Sequence, residues 1–174
     1  MLVDFSMTTA QRRTVIMHKL TKLLTPFTVR LAVPVKNWEE AFQLAGDLLI
    51  ADGSIDSSYV EESMKAARDM GPYFVVRPGV ALAHARPGPH VHRVCLSLIS
   101  LVPPVVFGHP DNDPVSLLFM FGSINDNAHI DLLSELALLL SNESLIQSMR
   151  EARNYEELQE ILGILLNDSE RRYA

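Results

Sequence analysis

Three side chains in this sequence have the types and spacing to handle a phosphoryl group: His84, Arg86 and His129. His84 stands near the end of the apolar run Val80-Ala81-Leu82-Ala83-His84-Ala85, which stops in the turn-forming Arg86-Pro87-Gly88-Pro89. The run reads as a short strand that delivers one imidazole to a sheet edge, rigidly held yet open to solvent. His129 lies in Asp126-Asn127-Ala128-His129-Ile130-Asp131, where Asp126 or Asn127 is expected to cap a long helix. A helix start offers unpaired N–H groups and a partial positive charge, so it favours an anion and disfavours further charge on an imidazole. With a pKa near about 6.5, a neutral imidazole has a ring-nitrogen lone pair that can attack phosphorus without a general base. The resulting phosphoramidate is reactive enough to pass its phosphoryl group on. Such transfer asks the protein mainly for positioning and for donors to the equatorial oxygens, which His129, its helix start and Arg86 can supply. Arg86 and His84 share a side if the strand continues past His84, although Pro87 interrupts the alternation. On spacing alone, His84 also reads as a hydrogen-bonded histidine at a strand end.

The elements that must position these residues follow from hydrophobic periodicity. Val15, Ile16, Leu20, Leu23 and Leu24 predict a helix over 11–24, stopped by Pro26, after a loose leader at 1–10. Thr28 to Val33 is strand-like. Asn37 with Glu40 caps a second helix, whose stripe is Ala41, Leu44, Ala45, Leu48 and Leu49. After Asp52-Gly53-Ser54, a capping box around Ser58 and Glu61 opens a helix to about Met70, closed by Gly71-Pro72. Residues 73–76 and 80–85 read as a hairpin about Arg77-Pro78-Gly79. Two buried strands follow, over 91–101 and 115–121, with Pro103-Pro104, Val105-Val106-Phe107 and a dense turn segment at 108–114 between them. The helix carrying His129, a short helical piece at 145–150, and a terminal helix to about Leu166 with a frayed tail at 167–174 complete the chain. The expected fold is α/β: a mixed sheet of about five strands with helices on both faces, in one domain over 1–174.

Composition narrows the function. Among 174 residues, 15 Lys and Arg against 21 Asp and Glu give a net charge of −6, and no run of Lys or Arg exceeds two residues, so nucleic acid is not the expected partner. The longest apolar stretch, 94–107, is broken by serines and prolines and is shorter than the roughly 20 residues that span a bilayer. The N-terminal segment lacks the pattern of a signal peptide, and the single cysteine, Cys95, permits no internal disulfide; a cytoplasmic protein is expected.

The segments Val80–Pro87, Val106-Phe107-Gly108-His109-Pro110-Asp111-Asn112-Asp113-Pro114-Val115 and Ala128–Ala137 resemble the enzyme IIA component of the bacterial sugar phosphotransferase system. The likeness is to the mannitol/fructose type and closest to the ascorbate-specific branch, and it spans about Thr28 to Leu165. It implies that His84 accepts a phosphoryl group from phospho-HPr on Nε2, with Nδ1–H held by a nearby acceptor, and passes it to a cysteine of an enzyme IIB. It implies that His129 supports the phosphorylated ring and that neither metal nor cofactor takes part. The sequence departs from the family pattern in two places. Ala83 stands where proline usually precedes the active histidine, which predicts a looser approach. Arg68 is about two residues out of register with an arginine common in mannitol and fructose relatives, so that role is not carried over.

Other readings stand beside this one. A regulatory relative would be phosphorylated on the same residue but signal by binding proteins. A metal module could use His84 with His90 and His92, although no further ligand lies close in sequence. His109 is expected to be structural or at the site rim, His18 partly exposed, and Cys95 a buried, inert thiol. The acceptor surface around His84 is expected to be an apolar rim including Val80, Leu82, Phe107 and Ile130. The sugar is left open, as is the oligomeric state, a homodimer included.

Overall fold

The computed structural model describes residues 20–171. The leader and most of the expected first helix, with His18, lie outside the described residues; its final turn, 20–23, is helical and buries Leu20 and Leu24. In order come β1 (Val29–Val33), α1 (Trp38–Ala51), α2 (Ser57–Met70), β2 (Val75–Arg77), β3 (Val80–Ala83), β4 (Cys95–Val105), β5 (Val115–Gly122), α3 (Asp126–Leu140), α4 (Glu143–Glu151) and α5 (Tyr155–Arg171).

The five strands form one mixed sheet in the order β1-β4-β5-β3-β2. β3 runs parallel to β5, in register from Val80↔Leu117 to Ala83↔Met120, whereas β4 is antiparallel to β5. The carboxyl ends of β3 and β5 therefore reach the same edge of the sheet. Alternation along the strands sends Ala81, Ala83, Leu118 and Met120 into one core with α1 and α2. Val80, Leu82, Phe119 and Phe121 enter a second core with α3, α4 and the start of α5. Helices thus cover both faces, as the sequence pattern requires. A Cβ on Gly46 would fall 2.3 Å from Cγ2 of Val60, so glycine is what lets α1 lie this close to α2.

Several boundaries differ from those expected. The run beginning at Val91 does not enter the sheet until Cys95; Val91 instead forms an isolated bridge with Ile55. At its other end β4 continues through Pro103 and Pro104. The prolines are tolerated because the ladder to β1 has ended at Leu101, so no neighbour on that side needs their missing N–H. α2 begins at Ser57 behind Asp56, whose carboxylate makes no cap bond because it meets two imidazoles instead. α5 runs to Arg171, through most of the segment expected to fray, since no Pro or Gly in 167–171 stops it.

Candidate functional site

His84 is the first residue beyond β3. Ala83 before it is fully buried and laddered to Met120, so the sheet holds the backbone that leads to His84. The imidazole stacks on Phe121 of β5, with centroids 4.8 Å apart and planes at 20°, and meets the edge of Tyr73 at 6.1 Å. Its Nδ1 lies 3.0 Å from the carbonyl oxygen of Leu82. A carbonyl only accepts, so this contact places the proton on Nδ1 and leaves the lone pair on Nε2.

His129 sits across from it at a centroid distance of 5.4 Å, also packed on Phe121. The cap of α3 is Asn125, one residue earlier than expected, its side chain accepting from Ala128 N at 2.9 Å. His129 therefore lies at the end of the first turn, and its own N–H bonds the Asn125 carbonyl at 3.0 Å. The N–H groups of Asp126 and Asn127 have no partner among the described residues, as expected at a helix start. Nδ1 of His129 is 3.1 Å from the hydroxyl of Ser123.

A buried phenol ties the two arms of the site together. Tyr59, on α2, donates to the Phe121 carbonyl at 2.7 Å and accepts from the Ala85 N–H at 3.1 Å. One oxygen thus joins the residue after His84 to the residue beneath both imidazoles. Burial pushes the Tyr59 phenol far above its ordinary value, so it stays protonated and able to donate.

The two rings line one open cleft of about 750 Å³ with Arg86, Tyr73, Met70, Lys65 and the Pro87–Pro89 turn. Burial lowers the pKa of His84, opposed by its bond to Leu82 and reinforced by neighbouring His129. Burial also lowers that of His129, against the pull of Asp126. Both imidazoles are thereby held neutral at pH 7. Arg86 is exposed and has no ion-pair partner among the described residues, whereas Lys65 is paired with Asp69. The strand has ended before Arg86, so the turn brings it to the cleft, not the alternation of an extended strand.

The apolar rim differs from the expected one. Val80, Leu82 and Phe107 are buried at 0, 5 and 5% exposure, since the first two face the second core and Phe107 packs on Phe42 and Phe74. Of the four, Ile130 alone is exposed. The exposed apolar groups lining the cleft are Met70 and Tyr73. Tyr73 has the features of strand packing in the sequence, and nothing there marks it as a cleft residue. Tyr59 is equally silent, because its role depends on contacts across the fold, and so is Ser123, because nothing in the sequence shows that the turn aims its hydroxyl at His129 six residues on.

A family model describing the EIIA 2 component of the phosphoenolpyruvate-dependent sugar phosphotransferase system matches residues 22–163. The chain belongs to this family. It is 30% identical over 136 residues to the ascorbate-specific EIIA component of Escherichia coli K12, covering 78% of this chain and 88% of that protein. The solution structure of the cryptic mannitol-specific enzyme IIA of Escherichia coli superimposes with a TM-score of 0.74 at 26% identity, covering 82% of this chain and 97% of that one. Enzyme IIA in a complex with phosphorylated enzyme IIB of the Escherichia coli mannitol system gives a TM-score of 0.71 at 21% identity, over 81% and 99% of the two chains. EIIA components are phosphotransferases that carry phosphohistidine, so this chain is one.

Within this EIIA fold the other histidines among the described residues, His90, His92 and His109, engage other partners. His90 and His92 both contact the Asp56 carboxylate, at 3.2 and 3.0 Å, and neither reaches His84. Among the described residues no group of three or more His, Cys, Asp or Glu side chains is arranged to hold a metal ion. His109 belongs to the 106–114 loop at the opposite end of the sheet from His84. Its Nδ1 accepts from the N–H groups of Asp111 and Asn112, each at 3.1 Å. Cys95 is buried against the Gly122 carbonyl, and burial pushes its thiol up to about 12. No helix among the described residues is long and apolar enough to cross a membrane.

Proposed function

We propose that this EIIA chain carries its phosphoryl group on Nε2 of His84, taking it from phospho-HPr in the cytoplasm and passing it to a cysteine of an enzyme IIB that serves ascorbate or a related sugar. One observation carries the reading: His84 Nδ1 lies 3.0 Å from the Leu82 carbonyl while the ring faces His129 at 5.4 Å in an open cleft. That contact leaves Nε2 as the nucleophile without further proton movement.

In the first transfer the Nε2 lone pair forms an N–P bond as the donor's N–P bond breaks. The released electron pair returns to the donor nitrogen, and the donor leaves as neutral imidazole. His84 keeps its Nδ1 proton, so its ring becomes a phosphorylated cation, stabilised by the carbonyl of Leu82. In the second transfer a thiolate forms the S–P bond and the N–P electron pair returns to Nε2, regenerating the neutral ring. Throughout, His129, the free N–H groups of α3 and Arg86 are the donors for the phosphoryl oxygens. The cleft is much larger than one phosphoryl group, as suits a site that must admit the phosphorylated side chain of one protein and the thiol of another. The ascorbate assignment is carried by the likeness to the Escherichia coli component, and the enzyme IIB partner by the solved mannitol complex.

The experiment is incubation with enzyme I, HPr and labelled phosphoenolpyruvate, followed by an ascorbate-type enzyme IIB. Wild type is expected to take up acid-labile phosphate and lose it to enzyme IIB. Label that is taken up but never discharged to any enzyme IIB would overturn the carrier role.

A further inference from the structure

Ser123 lies in the turn between β5 and α3 and is 1% exposed. Its Oγ is 3.1 Å from Nδ1 of His129 and has no other hydrogen-bond partner among the described residues. A hydroxyl brings one proton, and a buried donor with nowhere to place it is destabilising. Nδ1 is the acceptor within reach, so the Ser123 proton goes there and Nδ1 must hold a lone pair. A neutral ring then carries its own proton on Nε2. In the opposite arrangement Nδ1–H would donate to Oγ, the buried hydroxyl proton would be orphaned, and Nε2 would present a lone pair to whatever shares the cleft.

We propose that Ser123 is a positioning residue that fixes His129 in the Nε2–H tautomer, so that this ring presents a donor to the phosphoryl oxygens held on His84. The proposal rests on the reading of His84 as the acceptor. It gives the facing rings complementary protonation. His84 keeps its proton on Nδ1, tied to Leu82, and offers a lone pair; His129 keeps its proton on Nε2 and offers a hydrogen bond. Two rings of the same tautomer would offer either two lone pairs, which repel phosphate oxygens, or two donors and no nucleophile. The cue comes from the carboxyl end of β5, at the site itself, since Ser123 directly follows the strand whose Phe121 carries both rings.

Long-range ¹H–¹⁵N correlation spectra of the unphosphorylated protein, recorded well above the histidine titration range, read the tautomer directly. Wild type is expected to show His129 with its proton on Nε2. Ser123→Ala is expected to lose that single state and to slow transfer from phospho-HPr by roughly tenfold, the worth of about one hydrogen bond. An Nδ1–H tautomer of His129 in wild type overturns the proposal, as does a folded Ser123→Ala protein with His129 unchanged or with an unaltered transfer rate. The wild-type spectrum needs no variant to fold. If the reading of His84 itself is wrong, the label maps to another residue in wild type and variant alike, while the tautomer measurement still reports on Ser123.

Discussion

At the scale of single residues, the site divides its work between two imidazoles that burial keeps uncharged. His84→Ala removes the proposed nucleophile, and phosphorylation by phospho-HPr is expected to vanish with the fold intact, as measured by labelled phosphate and circular dichroism. His129→Ala removes a proposed donor to the phosphoryl oxygens and is expected to slow transfer by roughly 100- to 1000-fold, the usual range for losing a single preorganised donor. The lowered pKa values set a pH dependence of stability. A histidine whose folded pKa lies below the unfolded value of about 6.5 stabilises the fold fully above that pH, and the contribution is lost as pH falls through the unfolded and then the folded value. The urea midpoint of wild type is therefore expected to drop on acidification below about 6.5, and the drop to shrink in His84→Ala. An equal acid sensitivity in that variant would count against the buried neutral ring.

At the scale of elements, the parallel pairing of β3 with β5 brings the two histidines to one edge, and α2 clamps that edge through Tyr59. Tyr59→Phe leaves the Ala85 N–H and the Phe121 carbonyl without their buried partner. A loss of about 1–3 kcal/mol in urea unfolding is expected, together with slower phosphorylation per folded molecule because both arms of the site loosen. The loop joining β4 to β5 does the opposite kind of work. Asp113 accepts from the N–H groups of Phe107, Gly108 and His109 at 3.0, 2.6 and 2.8 Å, closing the loop at the end of the sheet away from His84. Asp113→Ala is expected to cost about 2–3 kcal/mol of stability and to leave the transfer rate of the folded fraction unchanged, as separate urea and label-uptake measurements would record. Phe107 to Val115, part of one of the three segments that carry the family resemblance, thus closes a loop at the end of the sheet away from His84, and Phe107 is not part of the cleft rim.

At the scale of the whole molecule, much of this architecture was legible in the sequence. Apolar alternation and helical stripes mark the sheet and its flanking helices, and the Pro/Gly turn after Ala83 marks where His84 leaves the sheet. His84, Arg86 and His129 do converge on one cleft. What was not legible depends on partners distant in sequence. Nothing local reveals that Asp56 meets His90 and His92 instead of capping α2, that Tyr73 and Met70 line the cleft, or that Tyr59 clamps it. Val80 and Leu82 were misplaced because every residue of β3 is buried, so polarity gives no cue to which face looks at the site. The prolines of β4 misled for a related reason: whether a missing N–H matters depends on whether a neighbouring strand is still alongside.

The most direct test of the central claim is to map the phosphate itself. With enzyme I, HPr and labelled phosphoenolpyruvate, the phosphoryl group is expected on Nε2 of His84, identified by ³¹P–¹⁵N coupling and lost in His84→Ala. Phosphate found on His129, on Nδ1 of His84, or undiminished in His84→Ala would contradict the account.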